Sequence, residues 1–316
     1  MQRRKLGKTA LEISVLGFGT SPFGNVFRDT DPQDNRDAVD AAVDAGINFF
    51  DVSPYYGLTL AEERLGWTLE GKRQKVVLAT KCGRYGVEEF DFSATRIRRE
   101  VEASLRRLRT DYVDLLQAHD IEFASFDQII QEAIPTMREL QAEGKARYIG
   151  ITGYPVGMLK RVAEQVPVDS ILSYCRYNLM NTDIEAELAP FAEEREIGLI
   201  NASPLMMGVL TDRGAPTWHQ GSERLKDAGR RAAIAAAQHG VNISSLALQF
   251  AVAHPTVTST LVGMATAEQV KENLRSVESA VNPAVLSEIQ SAIGNGFTTT
   301  WLTGLPENAD YTEEVS

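Results

Sequence analysis

Four side chains in the first 120 residues have types and spacing suited to moving a proton: Asp51, Tyr56, Lys81 and His119. A tyrosine phenol titrates near 10, about three units too high for a base at neutrality, so it needs a neighbouring cation that favours the phenolate. Lys81 can supply that charge. A buried ammonium tends to lose its own proton, and a carboxylate such as Asp51 a few Å away keeps it charged and oriented. His119 can then donate or accept a hydrogen bond at a substrate oxygen. Singly, each residue has an ordinary explanation: a loop cap, a surface charge, rim packing or a satisfied core histidine. Jointly they predict one acid–base centre, with Asp51 holding Lys81 and Lys81 tuning Tyr56.

Such a centre requires elements that bring distant residues to one face. Short β-rich apolar runs alternate with longer segments of helical period along the whole chain. The strand-like runs are 14–19, 47–51, 75–81, 112–119, 146–152, 170–174, 198–203 and 259–263. The helical segments are 33–45, 60–70, 94–108, 126–143, 156–166, 183–196, 222–239 and 267–280. Ser93 and Thr266 stand where N-caps belong, and Gly46, Gly71, Gly144, Gly198 and Gly240 follow helical stretches as breakers do. Eight strand–helix units predict an α/β fold, a closed (β/α)8 TIM barrel. An open doubly wound sheet would carry a GxGxxG turn after its first strand, and Gly17-Phe18-Gly19-Thr20 lacks the third glycine. Asp51, Lys81 and His119 each end a strand in this reading, with Tyr56 in the loop after Asp51, so all four fall on the face where barrels display reactive groups.

Three pieces lie outside the eight units. Residues 1–13 are expected to form a hairpin that caps the barrel bottom. Residues 243–252 and 283–293 are expected as additional helices, and 295–316 as a tail over the site. One domain over 1–316 accounts for all of it.

The bulk composition narrows the function further. The 316 residues are 43% hydrophobic with a formal charge of −11, and the cations are scattered, which disfavours nucleic acid as a partner. No apolar run approaches the length of a membrane span, and no leader-like segment opens the chain, so a cytoplasmic enzyme without a membrane partner is expected. Two cysteines and four histidines show no metal-ligand spacing, so no metal is expected either.

At the four reactive residues the sequence resembles the aldo-keto reductase superfamily. The matching motifs are Asp51-Val52-Ser53-Pro54-Tyr55-Tyr56-Gly57, Thr80-Lys81 and His119-Asp120, with Gly17-Phe18-Gly19-Thr20, Ala202-Ser203-Pro204-Leu205 and Glu272-Asn273 in support. Within it, His119-Asp120-Ile121-Glu122-Phe123, Tyr148-Ile149-Gly150-Ile151-Thr152-Gly153, Ile171-Leu172-Ser173-Tyr174-Cys175 and the run from Ala202 to Thr211 are similar to the L-galactose dehydrogenase group. That group and the related L-fucose or D-threo-aldose 1-dehydrogenases oxidise the anomeric carbon of a sugar to a lactone with NAD.

The resemblance implies a catalytic role for the tetrad, with Tyr56 as general base and hydride passing to nicotinamide C4. It implies cofactor contacts from Gly19, Thr20, Ser21, Thr152, Tyr174, Ser203, Leu205, Gly208, Gly263, Thr266, Gln269, Glu272 and Asn273. The strand-end loops and the tail offer Tyr55, Tyr85, Asp120, Trp218, His219 and Trp301 as substrate contacts, each of which could equally be rim packing. The chain departs from the superfamily where Gly153 stands in place of an Asn that holds the nicotinamide carboxamide, Tyr174 in place of a Gln, and Ala202 in place of a ring-stacking aromatic. Tyr174 offers either a replacement surface for the ring or packing inside the barrel mouth. In the segment that grips an adenosine 2′-phosphate in NADP-preferring relatives, Gly263 replaces a Lys and Gln269 an Arg. Each lost charge-assisted hydrogen bond is worth on the order of 1.5–3 kcal/mol, so NAD is expected as cofactor. The rival readings are a broad NAD(P)H-dependent aldehyde or ketone reductase, a channel-associated barrel with little turnover, and a metal-dependent hydrolase.

Overall fold

The computed structural model describes residues 1–279 and 282–310. Strands β1 (Arg3–Lys5) and β2 (Glu12–Ser14) pair antiparallel as a hairpin. Eight further strands close into a parallel barrel in chain order: β3 (Leu16–Gly19), β4 (Phe49–Asp51), β5 (Val77–Cys82), β6 (Val113–Ala118), β7 (Ala146–Gly153), β8 (Ser170–Tyr174), β9 (Gly198–Ala202) and β10 (Val257–Gly263). The helices are α1 (Pro32–Asp44), α2 (Leu60–Thr68), α3 (Ala94–Leu108), α4 (Phe126–Gln128), α5 (Ile134–Ala142), α6 (Val156–Gln165), α7 (Asp183–Glu194), α8 (Glu223–Gln238), α9 (Ile243–Val252), α10 (Ala267–Glu278) and α11 (Pro283–Ile293). The expected end of the eighth helical segment, Ala280, lies outside the described residues, as does the tail beyond Asp310.

The barrel interior is filled by side chains of alternate strand positions. Phe49, Ala79, Leu115, Leu172, Ile200 and Leu261 meet Leu6, Leu11 and Ile13 of the hairpin, which plugs the bottom as expected. The opposite, outward-facing strand positions pack against the helices in a second, larger core that includes Phe18, Phe50, Leu78, Leu116 and Ile149. Ser93 and Thr266 accept hydrogen bonds from the backbone N–H of Arg96 and Gln269 and so cap α3 and α10. Gly46, Gly71, Gly144 and Gly240 all adopt positive φ after helical stretches.

Two expectations are corrected. Gly198 is not a helix breaker: Glu196 takes the left-handed conformation, and Gly198 opens β9, where an added Cβ would lie 2.2 Å from the Leu6 side chain of the plug. The helical segment expected over 126–143 is broken by a π-helical turn at Ile129–Ala133. Pro135, in the first turn of α5, has no N–H to donate, and the ladder shifts register ahead of it.

Candidate active site

Parallel register places the four reactive residues on one rim. Gly19 of β3 pairs with Asp51 of β4, and Lys81 of β5 pairs with Gln117 of β6. His119 follows the last residue of β6, one position beyond the strand, with its N–H donating to the Cys82 carbonyl at 2.8 Å. Tyr56 is set by backbone packing: a Cβ on Gly24 would lie 2.5 Å from the Tyr56 carbonyl carbon, and one on Gly57, at φ 62°, would lie 2.2 Å from the Gly24 carbonyl. Only glycines allow these two loops to touch.

Lys81 Nζ is ion-paired to Asp51 Oδ1, donates to the Val52 carbonyl at 2.9 Å, and lies 3.3 Å from the Tyr56 hydroxyl. Gln117 Nε2 donates to the other Asp51 oxygen at 2.9 Å, so both carboxylate oxygens are fixed. Burial works against the Lys81 ammonium, but Asp51 and Tyr56 outweigh it and hold its pKa above the ordinary value. Burial pushes the Tyr56 phenol up, with Asp51 and Asp120 adding to the rise, while Lys81 pulls it down. Lys81 is therefore the downward influence expected from sequence, but in this structure burial outweighs it.

His119 is buried, and burial together with the charges of Lys81 and Arg84 lowers its pKa well below the ordinary value. Its Nδ1 lies 3.0 Å from Ser53 Oγ, which already accepts the Tyr55 N–H at 3.1 Å. The serine proton is then free to go to Nδ1, leaving Nε2–H as the donor facing the site. Asp120 Oδ2 is 3.7 Å from that Nε2 and is ion-paired with Arg84. The Arg84 guanidinium lies 3.8 Å above the Tyr55 ring.

The expected substrate residues divide. Tyr55 and Asp120 stand beside His119. Trp301 is buried and stacked on Tyr154 at 4.5 Å, with Tyr154 in turn 5.4 Å from Tyr174. His219 lies 5.2 Å edge-on from Trp301, but both its nitrogens are committed to its own loop, Nδ1 accepting from the Gly221 N–H and Nε2 bonding the Met206 carbonyl. Trp218 is half exposed and lies over Phe27. Tyr85 is buried beneath the Arg96 guanidinium, against α3.

The expected cofactor residues also divide. Thr20 spends its N–H and its hydroxyl on the Asp51 carbonyl. Ser21 opens the 3-10 turn Ser21–Gly24. Thr152 accepts the Asp120 N–H at 3.1 Å, and Tyr174 reaches Glu122. Ser203 and Gly208 both adopt positive φ in the loop after β9, which also carries Leu205. Gly19 and Gly263 are register partners, and a Cβ on Gly263 would press on Pro22 at 3.0 Å. Gln269 Oε1 accepts the Ala265 N–H at 2.7 Å just after Thr266. Glu272 is exposed, and Asn273 is half-buried on the same helix.

Sequence reasoning missed Gln117, Ser53, Arg84 and Glu122. The first two were readable by alternation, since each lies two residues from a named catalytic candidate on the same strand or its extension. Arg84 and Glu122 lie in loops, where no periodicity exists to point at them.

Among the described residues, no helix is long and apolar enough to cross a membrane, and no three His, Cys, Asp or Glu side chains gather as metal ligands. The aldo/keto reductase family model matches residues 15–293. The chain is 43% identical to an L-galactose dehydrogenase of Arabidopsis thaliana, over 98% of this chain and 99% of that one. It is 30% identical to a D-threo-aldose 1-dehydrogenase of Pseudomonas sp, covering 89% and 94%. A holo-form aldo-keto reductase of Bacillus halodurans superimposes with a TM-score of 0.78 at 29% identity, covering 96% of this chain and 98% of that one. Proteins of this kind use nicotinamide cofactors. Fold, rim geometry and sequence agree: this chain belongs to the aldo/keto reductase family.

Proposed function

We propose that the protein is an NAD-dependent aldose 1-dehydrogenase, which oxidises the anomeric C1 hydroxyl of an L-galactose- or L-fucose-type sugar to the aldonolactone. The observation that carries the reading is the ion-paired Lys81 ammonium 3.3 Å from the Tyr56 hydroxyl, beside a neutral His119. The relatives that act on aldoses support the substrate class.

The barrel mouth fits a nicotinamide dinucleotide. Glycines at 19 and 263 leave a rim without side chains, and Thr152, Tyr174 and Ala202 line the wall next to the tetrad. When bound, the oxidised cofactor supplies a positively charged ring whose C4 accepts a hydride. Tyr56 receives the C1 hydroxyl proton as the C1 hydride departs, so one proton and one hydride, which carries both electrons, leave the sugar and the C1–O bond becomes a carbonyl. Lys81 stabilises the phenolate needed for that transfer, and Asp51 with Gln117 keeps Lys81 charged and aimed. His119 Nε2–H orients the reacting oxygen. Asp120, fixed by Arg84, reads a sugar hydroxyl, and Tyr55 covers a C–H face. We assign Trp218, Trp301 and His219 to the wall that encloses the sugar, and Tyr85 to support of the Arg84 loop.

Selectivity for NAD follows from the α10 end of the cofactor groove. Gly263 has no side chain, and Gln269 is spent on the Ala265 N–H. Lys271 points into solvent, and Arg275 is paired with Glu268 at 2.9 Å. Among the described residues, a 2′-phosphate would meet no fixed cation there. The whole chain acts as one catalytic unit, and we place it in the cytoplasm, consistent with two buried free cysteines, Cys82 and Cys175. The test is a panel of L-galactose, L-fucose, D-arabinose and simple aldehydes with paired cofactors. We expect lactone formation from the sugars and a kcat/KM at least about tenfold higher with NAD than with NADP, the worth of one lost charge-assisted contact. An NADP preference, or turnover confined to simple aldehydes, would contradict it.

A further inference from the structure

Glu122 is fully buried in the 3-10 turn Ile121–Phe123 that follows β6 and His119. Its carbonyl accepts the Leu305 N–H at 2.8 Å and Asn308 Nδ2 at 3.0 Å, so the tail pins it in place. In the side chain, Oε1 accepts the Tyr154 N–H at 3.1 Å and the Tyr174 hydroxyl at 3.4 Å. Oε2 is buried and has no hydrogen-bond partner among the described residues. A buried oxygen left bare costs free energy, and natural proteins keep few of them without a use. This one lies 2.7 Å from the position of a Cβ built on Gly153, at the end of β7 next to Thr152. The carboxyl occupies the space that any side chain at 153 would need.

Building on the reading of this barrel as a nicotinamide site, we propose that the Glu122 carboxyl holds the nicotinamide carboxamide, in the space that Gly153 leaves open, with Thr152 and Tyr174 beside it. A carboxamide presents an N–H donor and a carbonyl acceptor, so its partner must offer both. A carboxylic acid does so when neutral and a carboxylate does not. Burial, with the negative charge of Asp120 adding to it, favours the neutral acid at Glu122, whereas Asp120 is committed to Arg84. The Tyr154 N–H and the Tyr174 hydroxyl both point at Oε1, which favours Oε1 as the carbonyl oxygen and Oε2 as the one to carry the proton. The acid thus does the work of a side-chain amide, and Gly153 is its obligatory companion because a larger residue would push it away.

The test measures binding in the full-length protein by tryptophan fluorescence, with NAD and with ADP-ribose, which lacks the nicotinamide. E122A is expected to weaken NAD binding about tenfold or more and to leave ADP-ribose unchanged. E122Q, which keeps a donor and an acceptor, is expected to stay within about threefold of wild type for both ligands, a difference under 1 kcal/mol. G153A, by displacing Oε2, is expected to behave like E122A, and it carries the test alone if E122A does not fold. Equal weakening of both ligands by E122A and G153A, or no weakening of NAD, would overturn the proposal and leave Glu122 a structural residue. Failure of the wild-type protein to bind either ligand would instead remove the nicotinamide reading of the barrel, and this inference with it.

Discussion

At the scale of single residues, the centre is a chain of fixed partners rather than four independent groups. Gln117 fixes Asp51, Asp51 fixes Lys81, and Lys81 works on Tyr56 against burial and two carboxylates. The consequence is directional. Because the Tyr56 phenol is pushed up, the deprotonated form that oxidation needs grows with alkalinity, so kcat for sugar oxidation should climb as pH rises above neutral. The reverse reduction, which needs the phenol, should fall over the same range. Tyr56→Phe removes the proton acceptor and should lower kcat by about 10²- to 10⁴-fold with NAD affinity unchanged. Lys81→Met should lower kcat similarly but also destabilise the fold, since it leaves Asp51 buried with only Gln117 and drives it to take up a proton. Steady-state rates and fluorescence titrations check both. A Tyr56→Phe enzyme within tenfold of wild type would move the base elsewhere.

At the scale of elements, the chain order of strands and helices was readable because apolar period and capping chemistry agree, as at Ser93 before α3 and Thr266 before α10. What was not readable arises from contacts between distant segments. Gly198 looks like a breaker by position, yet its lack of a side chain answers to Leu6 of the plug, almost 200 residues away in sequence. The π-turn at 129–133 is a compromise between helical period and Pro135. The tail shows the same limit most clearly, since nothing periodic predicts where it docks. Helix α6 follows Pro155 with no side-chain cap of its own. Asp310 supplies one from the tail, accepting the Val156 and Gly157 N–H groups at 2.9 and 2.8 Å and pairing with the buried Arg176, which also holds Asp183. The clasp joins the tail to the helix that follows Gly153, and with Asn308 on the Glu122 carbonyl it closes one side of the mouth. Asp310→Ala should therefore cost about 1–2 kcal/mol, the worth of a lost cap, seen as a melting temperature lower by a few degrees. Limited proteolysis should cut the variant after Trp301 sooner than wild type. Unchanged melting and cleavage would show that the tail is held by Trp301 and Asn308 without the clasp.

At the scale of the whole molecule, buried titratable groups shape stability on both sides of neutrality. His119, His219 and His254 all have pKa values lowered chiefly by burial. The unfolded chain takes up protons at their ordinary value of about 6.5 before the folded one does, so this contribution is present above about 6.5 and is lost as pH falls below it. Glu122 acts in the opposite sense. Its folded pKa is raised well above the ordinary carboxyl value by burial and by Asp120, so the folded state binds its proton more tightly than the unfolded chain does. That contribution is complete below about 4.5, the ordinary carboxyl range, and is lost as pH rises through the folded pKa. Each unit of separation is worth about 1.4 kcal/mol. Glu122→Gln carries no proton to lose, so the two proteins should melt alike near pH 4.5 and diverge as pH rises, with the glutamine variant the more stable at pH 8. The difference between the two melting curves cancels the histidines and the −11 net charge background, leaving Glu122 alone as its source. A difference that stays flat from pH 4.5 to 8 would mean that Glu122 is ionised in the folded protein, and the acid would then have no proton to offer the site.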